Sequence, residues 1–306
     1  MMDKQDFKGL VDQAMQEPGR VAMRPAVEKE ILHYDIFHAL DGAGLLRDLV
    51  FQGGTSLRLC RGSNRFSEDL DFAGGKHFTA TNMQDIKVCI EKHIGNRYGL
   101  SVEVKEPKHM AAEPDYEHIH VDKWQVSIET APQQRDLPRQ IIKIEIANIP
   151  AYTRELVPLR LHYAFLQGYG SVLVNTESLV EVMADKMVAF PAAKQIRYRD
   201  IWDMAWLIQQ GATLDPEMVV MKLRDYKIDN YSALLLHRQE NLQAIVQSAA
   251  FINQMTRFID AGTIEKTLAQ EGFLDYLVST IGGSFHAMSQ YLQGSQDGAS
   301  PSAFRM

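Results

Sequence analysis

The spacing of apolar residues changes character part-way along the chain. Between 26 and about 46, Val27, Ile31, Leu32, Ile36 and Leu40 recur at helical spacing, and Gly42 and Gly44 end that helix. The apolar run Leu49-Val50-Phe51 reads as a short strand, broken by Gly53-Gly54. Thr55 or Ser56 then caps a short helix through Leu59-Cys60. Asp69-Leu70-Asp71-Phe72 reads as a second short strand leading into Gly74-Gly75. Residues 80–98 form a helical pattern, with Ile86, Val88, Ile90 and Ile94 among its apolar positions. Strands are expected at 100–106, 123–130 and 140–146; in the last, Ile142, Ile144 and Ile146 alternate with Lys143 and Glu145.

After about residue 175 helical periodicity dominates, at 177–190, 200–210, 216–227, 231–247, 251–260, 264–279 and 284–293. Gly211, Gly262 and Gly282-Gly283 are read as breaks between several of these helices. The fold class that follows is α+β: a mixed sheet with flanking helices, then a mainly helical C-terminal region. The expected division is a loose lead-in at 1–25, a catalytic α/β region at 26–175, a helical region at 176–293 and a disordered polar tail at 294–306.

Composition narrows the class. With 45% hydrophobic and 23% charged residues, the balance is that of an ordinary globular chain. No apolar run approaches the roughly 18 residues of a membrane span, and the polar start lacks a signal-peptide centre, so a cytoplasmic location is the expectation. Cys60 and Cys89 belong to no metal-ligand cluster. Among the histidines, His118 and His120 stand closest together but in an acidic, loop-like run. A net charge of -7 argues against a protein that coats nucleic acid, yet leaves room for a local basic patch beside one pocket.

Candidate chemistry begins at Asp69 and Asp71. On a strand, residues i and i+2 share a face, so both carboxylates project together while Leu70 enters the core. Side by side they repel unless a cation lies between them, and magnesium suits hard oxygen ligands and a substrate's phosphates. The competing reading is a solvated acidic turn. Gly53-Gly54-Thr55-Ser56, between a strand and a short helix, lets backbone approach a phosphate closely and offers hydroxyls and free N–H groups. A plain turn is the alternative there. The glycine-rich run ending in Gly-Lys-Ser/Thr of a Walker-type loop is absent.

Gly53, Gly54, Thr55, Leu57, Arg65, Ser67, Asp69, Leu70, Asp71 and Phe72 match a pattern, and the segment FQGGTSLRLCRGSNRFSEDLDF resembles the signature of the nucleotidyltransferase-like toxins of the abortive-infection AbiEii/AbiGii group. That resemblance implies a nucleotidyltransferase-like fold of the polymerase-beta type. It also implies that the glycine turn holds a nucleotide's phosphates and that Asp69 and Asp71 bind Mg2+. A third carboxylate, for which Glu145 is the candidate, is expected as metal ligand or base; a half-buried strand with one solvated side is its alternative. Arg65 can pair with a carboxylate or with phosphates, or form a surface salt bridge, and Ser67 can bond the turn. Arg58 and Arg61, three apart on the short helix, can line a shared basic rim but read first as solvated surface arginines.

Lys186 falls in the middle of an apolar face built by Leu179, Val182, Met183 and Phe190. An ammonium there needs a partner or must snorkel to solvent. The resemblance, which extends to Arg199-Asp200-Ile201-Trp202-Asp203, implies that Lys186 and Asp200 act in the site. Asp200 can also cap its helix, and Asp203 reads as the partner of a nearby lysine or arginine.

The expected reaction is transfer of a nucleoside monophosphate from a nucleoside triphosphate to an acceptor hydroxyl. The resemblance points to RNA, such as the 3′ end of transfer RNA, as acceptor, with the chain acting as the toxin of a toxin–antitoxin or phage-defence system beside a separately encoded antitoxin. The alternatives are nucleotidylation of a protein side chain, and a degenerate fold kept as a binding module.

Overall fold

The computed structural model describes residues 4–107, 119–133 and 137–297. His118 and the tail from 298 onward lie outside the described residues. The chain divides into two units, Met1–Ser178 with Thr256–Ile264, and Leu179–Met255 with Glu265–Met306.

In the first unit, α1 (Phe7–Ala14) and α2 (Arg24–Gly42) precede β1 (Val50–Gln52). The chain turns into α3 (Gly53–Ser56) and a π-helical turn, Leu57–Arg61, before β2 (Leu70–Ala73). There follow α4 (Ile86–Tyr98), β3 (Ser101–Lys105), β4 (Val121–Glu129), β5 (Gln140–Ala147), β6 (Glu155–Pro158) and β7 (Leu173–Thr176). The strands form one seven-stranded mixed sheet in the order β3-β4-β5-β2-β1-β7-β6. β2 runs antiparallel to β1 and parallel to β5, and β1 runs parallel to β7.

One face of this sheet is core. Ile142, Ile144 and Ile146 are all fully buried, as are Trp124, Val126 and Ile128 of β4. Phe51 and Phe72 pack against Phe37 of α2, with ring centroids 4.8 Å apart edge-on (Phe37–Phe51) and 5.0 Å apart (Phe51–Phe72). Burial of this apolar area, at roughly 25 cal/mol per Å², is what orients the strands and sends the alternate side chains to the opposite face. Part of the expected loose lead-in is ordered: Phe7, Val11 and Ala14 of α1 are buried, and Phe7 meets Tyr98 edge-on at 5.1 Å.

Helix α2 carries buried acids on several sides. Asp35 accepts from Tyr98 at 2.8 Å, Tyr169 at 2.5 Å and His93 at 3.1 Å. Glu30 accepts two bonds from Arg58, at 2.7 and 3.0 Å, and one from Tyr163 at 2.9 Å. Arg58 is therefore a buried ion-pair partner and not the solvated arginine expected. Arg61 likewise bonds Thr176 and the Glu177 carbonyl and pairs with Glu155.

The second unit is helical: α5 (Leu179–Ala192), α6 (Tyr198–Gln209), α7 (Pro216–Asp225), α8 (Tyr231–Val246) and α9 (Ala249–Met255), re-entered through α10 (Ala261–Lys266), then α11 (Phe273–Asp297). The glycine pair 282–283 does not break α11. Two glycines cost about 1 kcal/mol each in a helix, but Leu277, Ile281, Phe285 and Met288 are buried along one stripe and offset that cost. The break falls at Gly272, whose φ of 79° suits glycine.

Candidate active site

The turn after β1 begins at Gly53, with φ of 77°. A Cβ built there would lie 2.8 Å from Asp71 Oδ2 and 3.5 Å from Asp71 Cβ, so only glycine lets the turn sit this close to the strand. Two further bonds fix the arrangement. The Thr55 hydroxyl donates to the Asp69 carbonyl at 2.5 Å, and the Ser56 hydroxyl donates to the Gly53 carbonyl at 2.8 Å. Both side chains are buried, so these hydroxyl protons, expected at a phosphate, hold the turn instead. Backbone N–H groups of the turn are what remains for an anion.

On β2, Leu70 and Phe72 enter the core, and Asp71 points to the other face, half-buried. Asp71 stands in register with Glu145 of β5, and Glu145 with Lys123 of β4. Lys123 Nζ lies 3.0 Å from Glu145 Oε1. Asp69, just before the strand, accepts the Lys143 N–H at 3.3 Å, and Lys143 Nζ lies 4.0 Å from its Oδ2. Lys143 is in register with Gln125, and Gln125 with Lys105. The open face of the sheet thus runs from Asp69, Asp71 and Glu145 onto the exposed lysines 143, 123 and 105.

A divalent cation suits this donor set. The carboxylates are hard oxygen ligands on one face, and beside them the buried Oε1 of Gln52 has no hydrogen-bond partner. Among the described residues no group of three or more His, Cys, Asp or Glu side chains gathers as a metal cage. A cation here would be held by one or two carboxylates, with water and substrate phosphates supplying the rest of its ligands. Burial pushes the Cys60 thiol up to about 12 and the Cys89 thiol up to about 11, which keeps both protonated at neutral pH.

Arg65 is only 2% exposed, and its Nη1 donates to the Phe66 carbonyl at 2.7 Å. Ser67 is buried in the same segment. In the helical unit, Lys186 lies 2.6 Å from Asp200 and 2.9 Å from Asp203, with all three buried. Arg197 adds a bond to Asp200 at 2.5 Å. Asp200 sits inside the first turn of α6 and does not cap it; its carboxylate is given to the two cations. The structure thus sets Asp71 in register with Glu145 and against the Gly53 turn, with Asp69 at Lys143 just before the same strand, in one unit, and pairs Lys186 with Asp200 in the other.

A profile of the family described as "Nucleotidyl transferase AbiEii toxin, Type IV TA system" matches residues 36–277. The chain belongs to the AbiEii family. As an AbiEii protein it is a nucleotidyltransferase, of a kind that serves as the toxin of a type IV toxin–antitoxin system. Its fold is that of MenT4, a nucleotidyltransferase toxin from Mycobacterium tuberculosis H37Rv, with a TM-score of 0.51 at 17% identity over 93% of this chain and 99% of that one. JHP933 from Helicobacter pylori aligns with a TM-score of 0.49 at 17% identity, over 89% of this chain and 95% of that one. A sequence search of curated proteins finds no significant match. Among the described residues, no helix is long and apolar enough to cross a membrane.

Gln52 and Lys123 were not singled out from the sequence. Lys123 had a usable signal, since it alternates with Trp124 and Val126 on a predicted strand. Gln52 had only its place directly before the glycine pair.

Proposed function

We propose that this AbiEii protein is a magnesium-dependent nucleotidyltransferase that moves a nucleoside monophosphate from a nucleoside triphosphate to a hydroxyl of RNA. The observation that carries the reading is the seating of Asp71 against Gly53, which sets a carboxylate strand against a glycine turn without intervening side-chain bulk. Asp69 and Asp71 would hold the cation, with Glu145 in register beside them. When bound, the cation would neutralise charge on the triphosphate.

The acceptor oxygen attacks the α-phosphorus, the bond to the bridging oxygen breaks, and pyrophosphate leaves. The hydroxyl proton passes to Glu145 or to water. Backbone N–H groups at Gly53 and Gly54 would orient the phosphates, while Thr55 and Ser56 keep the turn in place. Arg65 and Ser67 would shape the segment that enters β2. Lys186 and Asp200 enter the proposal on sequence resemblance alone.

Support for RNA as acceptor comes from the lysines 143, 123 and 105, which extend the carboxylate face with positive charge in a chain of net charge -7. Cationic side chains beside the reaction centre suit a phosphate backbone. A separately encoded antitoxin is the expected protein partner, as type IV membership implies. The test is incubation with each labelled nucleoside triphosphate, magnesium and total RNA, comparing wild type with Asp69→Ala and Asp71→Ala. RNA labelling lost in both variants is expected. Labelling of protein in place of RNA would move the acceptor to a side chain, and no labelling of either would favour a degenerate binding module.

A further inference from the structure

Gln52 closes β1 directly opposite Asp71 in the antiparallel pair, so both side chains project to the carboxylate face. Phe51, its neighbour, goes the other way into the core. The amide oxygen of Gln52 is shielded from solvent and accepts no hydrogen bond. Buried carbonyl oxygens almost always find a donor. The nearest hydroxyls in sequence are committed elsewhere, Thr55 to the Asp69 carbonyl and Ser56 to the Gly53 carbonyl. Its cross-strand neighbour Asp71 is, when ionised, an acceptor and offers no proton.

A positive ion satisfies such an oxygen as well as a donor does. Glu145, the third carboxylate of the face, is held by Lys123 at 3.0 Å. Two carboxylates already balance a divalent charge, and a neutral amide oxygen adds a hard ligand without adding repulsion. We propose that Gln52 belongs to the metal site, its amide oxygen serving the coordination shell of the cation held by Asp69 and Asp71. The inference rests on the reading of those aspartates as metal ligands.

The test is Mn2+ binding to the full chain without nucleotide, followed by electron paramagnetic resonance. Wild type, Gln52→Leu, Gln52→Glu and Asp71→Asn are compared, with thermal denaturation of each in chelator. Gln52→Leu is expected to bind Mn2+ about tenfold more weakly or worse, since even the outer-shell partners of metal ligands cost about 10–100-fold when removed. Gln52→Glu is expected to bind at least as tightly as wild type, and to gain more thermal stability from Mn2+, because a third carboxylate repels the others until the ion arrives. Where Gln52→Leu unfolds, that gain in Gln52→Glu decides the matter. Wild-type affinity in Gln52→Leu, or an unaltered Mn2+ response in Gln52→Glu, with binding lost in Asp71→Asn, overturns the role of Gln52 alone. Wild-type affinity in Asp71→Asn, or no binding by wild type, overturns the metal reading and this inference with it.

Discussion

Gly53 and Asp71 are in contact in a way that no other residue at position 53 would allow: a Cβ there would meet the Asp71 carboxylate at 2.8 Å. With φ at 77°, the backbone is also in the left-handed region. Gly53→Ala should therefore cost about 1–2 kcal/mol in conformation alone. If Asp71 holds the cation as proposed, the substitution should also lower nucleotidyl transfer by about 100-fold or more, because the displaced group would be a ligand at the reacting centre. Parallel thermal denaturation and turnover measurements check this. A variant with near-normal turnover would mean that the contact is incidental.

Arg58 and Glu30 make a second test, one of stability. Their bidentate pair is buried, with side-chain exposures of 8% and 1%. Arg58→Met leaves Glu30 charged and buried, and should destabilise by about 3–5 kcal/mol in urea denaturation. The double variant Arg58→Met with Glu30→Leu should recover much of that loss. Equal destabilisation in single and double variants would contradict the pairing.

Lys186 presents the same physics in the helical unit, between Asp200 and Asp203. Lys186→Met should lower stability by about 3–5 kcal/mol. Lys222, fully buried between Glu181 at 2.7 Å and Asp185 at 2.9 Å, supplies the comparison. Lys222→Met should lower stability similarly while leaving transfer intact at temperatures where the protein is folded. If Lys186 acts in the reaction, its variant loses transfer under those same conditions.

Stability should also fall in mild acid. Burial holds His33 down to about 4, from an ordinary value of 6.5, with its Nε2 3.0 Å from the Glu68 carbonyl. The unfolded chain takes up this proton first as pH falls. The stabilising contribution is thus complete above about 6.5 and is lost progressively toward 4, about 3 kcal/mol for this group alone. His38 and His162, also lowered by burial, act in the same direction. Urea midpoints across this range should drop in wild type and drop less in His33→Gln.

Strand periodicity made the site's face legible from sequence, because alternation at 69–72 and 140–146 carries its own geometry. The pairing of those segments was not legible, and it is the register of Asp71 with Glu145 that brings the carboxylates together. β6 and β7 escaped notice because four residues ending in Pro158, or reading Leu-Val-Asn-Thr, carry too little pattern. Arg58 looked solvated because its partner Glu30 comes from a helix distant in sequence. The glycine pair in α11 misled for a related reason: local propensity gave no view of the burial that outweighs it.

Whether Asp69 and Asp71 support transfer of a nucleoside monophosphate is read from the position of the label. Wild type and Asp71→Asn are incubated with RNA, magnesium and nucleoside triphosphate labelled at either the α- or the γ-phosphate. α-Label is expected in RNA and γ-label in released pyrophosphate, with loss of both in Asp71→Asn or with chelator. Entry of γ-label into the acceptor, or unchanged transfer by Asp71→Asn, would contradict that expectation.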